Sequence, residues 1–123
     1  MRKKCFVGIL IILLISIISG CTGTPKIGGP INSENIKDGI YRGSYRGGRN
    51  MATVEITIRD GKLIEINLIK HIAVWKGRVA EYFILPRIIE YQSTDVDAVS
   101  GATNSSHVIM NAVYKALEKA KKE

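Results

Sequence analysis

Thr53-Val54-Glu55-Ile56-Thr57-Ile58-Arg59-Asp60-Gly61-Lys62-Leu63-Ile64-Glu65-Ile66-Asn67-Leu68-Ile69-Lys70 is the stretch that decides the fold. Before Asp60, the apolar residues Val54, Ile56 and Ile58 alternate with Thr53, Glu55, Thr57 and Arg59, the period of a strand with one buried face. Asp60-Gly61 is a hairpin signal, because the tight turn that matches strand twist needs positive φ at both central residues. The run from Lys62 to about Lys70 is read as a third strand, with Ile64, Ile66 and Leu68 facing one way and Leu63, Glu65, Asn67 and Ile69 the other. Upstream, Ile40 to Arg46 sets Tyr41, Gly43 and Tyr45 against Arg42, Ser44 and Arg46, and Gly47, Gly48 and Asn50 mark the next turn. An antiparallel meander of three strands is predicted, and its apolar face needs a cover.

Downstream sequence supplies that cover. A short helix is predicted from Arg78 to about Tyr91, with Val79, Tyr82, Phe83, Ile88 and Ile89, and with Pro86 set to kink, restart or split it. A loop follows from Thr94 to Thr103. The last helix is predicted from about Ser106 to Lys121, with Ile109, Val113, Ala116, Leu117 and Ala120 on one face. Hydroxyl residues stand where an N-cap is wanted, and Lys119, Lys121 and Lys122 complement the negative end of the dipole. The fold class is α+β: a small antiparallel sheet packed against helices, in a single domain after a cleaved signal peptide.

The N-terminus reads as a leader, since Arg2, Lys3 and Lys4 precede an apolar run from Cys5 to about Ile18. That run is shorter than the roughly 20 residues a membrane-spanning helix needs. Ile18-Ser19-Gly20-Cys21 resembles the lipobox of bacterial lipoproteins, which implies acylation of Cys21 and residence on the extracytoplasmic face of the cell membrane. With Cys5 in the leader and Cys21 consumed by lipid, no thiol remains for a disulfide, a cysteine metal site or thiol redox chemistry. The formal charge of +7 falls to about +4 without the leader cations, a mild excess that suits an anionic membrane surface. Residues 1–20 are thus expected to be the signal peptide, 21–37 a flexible Gly/Pro tether, and 38–123 the folded domain.

The chemistry is concentrated in Asp97-Ala98-Val99-Ser100-Gly101-Ala102-Thr103. Ser100, Thr103, Ser105 and Ser106 offer hydroxyls at a helix start, while Gly101 and Ala102 keep the backbone open. Free N–H groups of a first helical turn and the dipole both favour a phosphate there. A plain capping loop has the same composition. Order and spacing go further: an aspartate, two variable residues, a serine or threonine, then Gly-Ala-Thr resembles the flavinylation motif of the FMN-binding domain family. Tyr41, Gly43, the Asp60-Gly61 hairpin, Ile88, Ile89, Tyr91, Gln92 and Asn104-Ser105-Ser106 also look like small members of that family.

The resemblance implies FMN esterified through its phosphate to Thr103, delivered from FAD with release of AMP by a separate magnesium-dependent flavin transferase. Asp97, Ser100, Gly101 and Ala102 then belong to the cofactor-binding and recognition segment, and no residue takes a catalytic or metal-ligating role. It further implies an electron carrier between a membrane redox donor and an external acceptor. Alternatives are a lipoprotein that binds FMN noncovalently or scavenges flavin, and one with a structural role alone. Trp75, Tyr82 and Tyr91 are aromatic candidates for the flavin ring, each expected first as core, and His71 ends the third strand. Where larger family members have Glu-Thr-Pro-Gly, this chain has Ile72-Ala73-Val74-Trp75-Lys76-Gly77. The Arg/Gly run from Tyr41 to Arg49 is strand alternation rather than a nucleic-acid segment, so no nucleic-acid partner is expected.

Overall fold

The computed structural model describes residues 23–122. The leader and the Cys21 lipidation site lie outside the described residues. Strands β1 (Gly39–Gly47), β2 (Asn50–Arg59) and β3 (Lys62–Ile72) form a sheet in the order β1-β2-β3 with both pairings antiparallel. Helix α1 (Ala80–Tyr91) and helix α2 (Thr103–Ala120) cover one face. The α+β architecture is the one predicted.

β2 is the central strand and alternates as its sequence demands, with Ala52, Val54, Ile56 and Ile58 buried. Asp60 and Gly61 hold φ of 54° and 72°, and Asp38 clamps the turn by accepting their N–H groups at 2.8 and 3.0 Å. Those two bonds to Gly61 and Asp60 hold the Asp38 carboxyl below its ordinary pKa, because they favour the charged form. α2 lies on β1 and β2, with Val108, Ile109, Ala112, Val113 and Ala116 fully buried. Its contact with β1 depends on Gly43, whose missing side chain lets backbone meet backbone.

β3 departs from simple alternation. The pairing shifts between Thr57 and Ile58 and again between Thr53 and Val54, so Ile64 and Ile69 are the extra residues of two β-bulges. Each bulge reverses which residues point inward. Leu63, expected to face away from Ile66 and Leu68, is therefore on their face and buried opposite Ile58, with Ile66 and Leu68 half-buried, while Ile64 and Ile69 are exposed. The second bulge also turns His71 toward the core beside Ala52.

Three boundaries move. A 3-10 turn at Trp75–Val79 precedes α1, which runs unbroken through Pro86. α2 starts at Thr103 rather than Ser106, since Ser106 N–H already donates to Ala102 O at 2.9 Å. Finally, the stretch expected as a tether is strapped down from Gly23 onward. Ile31 N–H donates to Gln92 O, Thr94 N–H donates to Gly29 O, Ile36 is buried, and Lys37 N–H donates to Ala120 O. Composition marks this segment as irregular, but its backbone groups find partners on the body, which removes the freedom a Gly/Pro sequence otherwise has.

Candidate functional site

The Asp97–Thr103 segment folds for reasons visible residue by residue. Ala102 N–H donates to Val99 O at 2.9 Å, closing a turn with Ser100 and Gly101 at its centre. Gly101 holds φ of 80° and Ser100 is not among the positive-φ residues, which makes this a type II turn and explains the glycine. Ala102 is buried, 6% exposed, as part of the hydrophobic core. The chain then enters α2, and Thr103, its first residue, is exposed.

The expected hydroxyl cap is absent. Ala102 occupies the N-cap position with no side-chain bond, because the nearby hydroxyls are committed elsewhere. Ser106 Oγ accepts from Val99 N–H at 3.0 Å and donates to Ala102 O at 2.7 Å, tying the turn to the helix from inside. The first N–H groups of α2, which in any helix have no intrahelical acceptor, therefore receive no side-chain cap either. No hydrogen bond to the Thr103 hydroxyl is formed among the described residues.

Ser105 is buried and joins α2 to the other elements. Its Oγ donates to Gly77 O at 2.8 Å and lies 2.7 Å from His71 Nε2, so toward the histidine it is an acceptor and Nε2 carries a proton. The His71 side chain is only 2% exposed, and its Nδ1 lies 3.3 Å from Glu81 Oε2. That contact is close enough for an ion pair but off the line of a hydrogen bond, leaving Nδ1 without a well-directed partner. Gly77 has to be small here, since a Cβ would sit 3.0 Å from Ser105 Cβ and 2.8 Å from Ala73 Cβ. The chain Glu81, His71, Ser105, Gly77 thus connects α1, β3, the 3-10 turn and the first turn of α2. Ser105→Ala is expected to cost about 1–3 kcal/mol in denaturant unfolding, because it strips buried partners from His71 and Gly77. A variant within about 0.5 kcal/mol of the wild type would show that the chain of bonds contributes no stability.

A cavity of about 320 Å³ opens beside the motif, bounded by Asn50, Val74, Gly77, Gly101, Ala102 and Thr103, with Asn104 and Ser105 completing it. Asn50 anchors its wall by accepting from Val74 N–H at 3.3 Å. Asp97 and Ser100 do not line it. Asp97 instead borders a separate hollow of about 710 Å³ with Arg87, Glu90, Tyr91 and Asp95. Arg87 holds the loop there by donating to Asp97 O at 2.8 Å while its guanidinium lies 5.8 Å over the Phe83 ring. A further cavity of about 480 Å³ lies under the strap near Tyr114 and Lys121, toward the other end of α2.

Of the aromatic candidates, Tyr82 and Tyr91 are 78% and 68% exposed, so neither is core and neither borders the cavity beside Thr103. They stand on the outer face of α1, whose inner face uses Ala80, Ile84 and Ile88 instead. The Trp75 side chain lies outside the described residues. The inward histidine and the docked strap carry no signal in local alternation; both depend on pairing with distant residues.

The geometry fits a phosphate-bearing group on Thr103: an exposed hydroxyl, unpaired helical N–H groups, and open space around Gly101, where a Cβ would meet nothing within 4 Å. A family model described as the FMN-binding domain matches residues 47–118. An uncharacterized protein of Treponema pallidum (strain Nichols) is 34% identical over 88 residues, which is 68% of this chain. The matched region is 23% of that relative, so the chain corresponds to about a quarter of its length.

Proposed function

Because the chain belongs to the FMN-binding domain family, we propose that it holds FMN covalently, through a phosphoester to the Thr103 hydroxyl, and serves as an extracytoplasmic electron carrier anchored by lipid on Cys21. The observation that carries the reading is the position of Thr103, exposed as the first residue of α2 directly after a type II turn.

In the attachment step the Thr103 Oγ attacks the flavin-side phosphorus of FAD. The new P–O bond replaces the bond to the bridging oxygen, AMP leaves with that oxygen, and the hydroxyl proton goes to a base. Thr103 is a weak nucleophile without an activating partner among the described residues, so base and magnesium belong to a separate flavin transferase. Asp97, exposed at the loop's start, and Ser100, exposed in the turn, are available to that enzyme. After attachment the α2 N–H groups and dipole stabilise the phosphate charge. The bound flavin supplies one- and two-electron transfer, and the protein supplies position and electrostatics.

Covalent attachment makes rebinding of the cofactor intramolecular, so a small domain needs little intrinsic affinity for the ring. Electrons would pass from a membrane redox donor to an external acceptor. The test is to co-express the protein with a flavin transferase and run it on a denaturing gel. A fluorescent band at the protein's position is expected; flavin that separates as free FMN would replace this reading by noncovalent binding.

A further inference from the structure

The strap that replaces the expected tether lies along α2 and brings the first described residues to one end of the body. Three α2 side chains on one helical face, Asn104, His107 and Asn111, grip its backbone. Thr24 N–H donates to Asn104 Oδ1 at 3.1 Å, and His107 Nδ1 donates to Thr24 O at 2.6 Å. Asn111 accepts from Ile27 N–H at 3.1 Å and donates to Pro25 O at 2.7 Å. Gly23, the first described residue, therefore sits against Asn104, next in sequence to Thr103. Cys21 is two residues away, a reach of about 7 Å at full extension. A free tether over residues 21–37 would have allowed roughly 20–25 Å.

The same end of the molecule has a distinctive surface. The β1–β2 hairpin, the end of β3, the 3-10 turn and the start of α2 meet there, as the pairing of Gly47 with Asn50, the Val74–Asn50 bond and the cavity beside Thr103 require. Residues 45–51, 69–80 and 100–105 contain five basic residues, including Arg46, Arg49, Lys70 and Arg78, and no aspartate or glutamate. Glu81, next in the chain, turns toward His71. Among the basic groups, Ile72, Val74 and Val79 are 43–52% exposed. Cations interspersed with exposed apolar side chains match an anionic bilayer surface, which attracts the charge within a Debye length and accepts the apolar groups at its interface. The other end, with Asp38 and Asp60 at the β2–β3 turn, lacks this bias.

We propose that the domain stands on the membrane by this end, with the Thr103 loop facing the anionic lipid surface, so that the flavin site meets membrane-embedded redox partners rather than swinging over a few nanometres. The proposal rests on the reading of Cys21 as a lipid anchor and adds an orientation to it. Docking of the strap supplies the short leash, and the excess of basic over acidic residues at this end supplies the adhesion.

The test uses the full-length acylated protein in vesicles containing phosphatidylglycerol, with a spin label on Arg49→Cys at the exit end or on Lys62→Cys at the opposite turn. On transfer from detergent to vesicles, the Arg49 label should lose accessibility to a water-soluble nickel chelate, because a surface pressed against lipid excludes the chelate from that side of the label. The Lys62 label, roughly 30 Å away along the strands, should lose none. In phosphatidylcholine vesicles the loss at Arg49 should be smaller, and an equal loss would overturn the part assigned to charge. Equal accessibility of the two labels on acylated protein would overturn the orientation. Failure of the wild type to incorporate radiolabelled palmitate would overturn the anchor itself, a separate and distinguishable result.

Discussion

Thr103→Ala is expected to abolish flavin fluorescence in the denatured protein while leaving the domain folded. The side chain is exposed, and the N-cap position belongs to Ala102, so the substitution removes no cap and empties no core. Helix propensity moves slightly in favour of the variant, by a few tenths of a kcal/mol, since alanine is the better former. Attachment is lost outright, because a methyl group has no oxygen to form the phosphoester. The measurement pairs gel fluorescence with a denaturant midpoint on the same preparation and with mass analysis of the peptide spanning Thr103. Covalent flavin on the alanine variant would move the attachment to another hydroxyl, with Ser100 the nearest exposed one.

Gly43→Ala carries the largest expected loss of stability. A Cβ at residue 43 would lie 2.3 Å from both Ala112 O and Ala116 N, and 2.8 Å from Ala116 Cα. These are backbone atoms of a packed helix, so no rotamer change relieves the overlap, and α2 has to lift from β1. Overpacking in a core commonly costs about 1–3 kcal/mol, and a backbone collision belongs at or beyond the top of that range. A domain of this size has roughly 5–15 kcal/mol to lose. Gly29→Ala is the control: nothing lies within 4 Å of its added Cβ and its φ is not positive, so it should be neutral or stabilise by up to about 1 kcal/mol. Urea unfolding of the two variants compares them directly. Equal midpoints would mean that β1 and α2 separate more easily than their close approach implies.

Gly43 also shows how local pattern and tertiary packing divide the information. Alternation puts Tyr41, Gly43 and Tyr45 on one face of β1, and the structure buries that face. Nothing in alternation says that the position must be glycine, because that requirement comes from α2, some seventy residues later. His71 is similar. Counting by twos from Leu68 sends it outward, and the bulge at Ile69 sends it inward to Ser105 and Glu81. A bulge changes the count of residues against a partner strand, which one strand read alone does not contain.

The Asp97–Thr103 motif was more legible than its surroundings because its geometry is local. Val99-Ser100-Gly101-Ala102 closes on itself in four residues, with glycine at the one position that needs positive φ. The hydroxyls nearby misled about capping, since Ser105 and Ser106 turn inward to Gly77, His71, Val99 and Ala102. Tyr82 and Tyr91 misled in the opposite sense. Aromatic side chains at helical spacing read as core, but α1 presents Ile84 and Ile88 to the sheet and leaves the tyrosines outside.

Local patterning accounts for the meander, the two tight turns, the two helices and the motif at Thr103, because each follows from residues within a few positions of one another. Tertiary packing alone turns Leu63 and His71 inward, makes Gly43 a point of backbone contact, and docks residues from Gly23 onward as a strap that reaches the Thr103 loop. Those features depend on distant backbone groups finding partners, and the cost of leaving such groups unpaired selects one arrangement where local preference leaves several open.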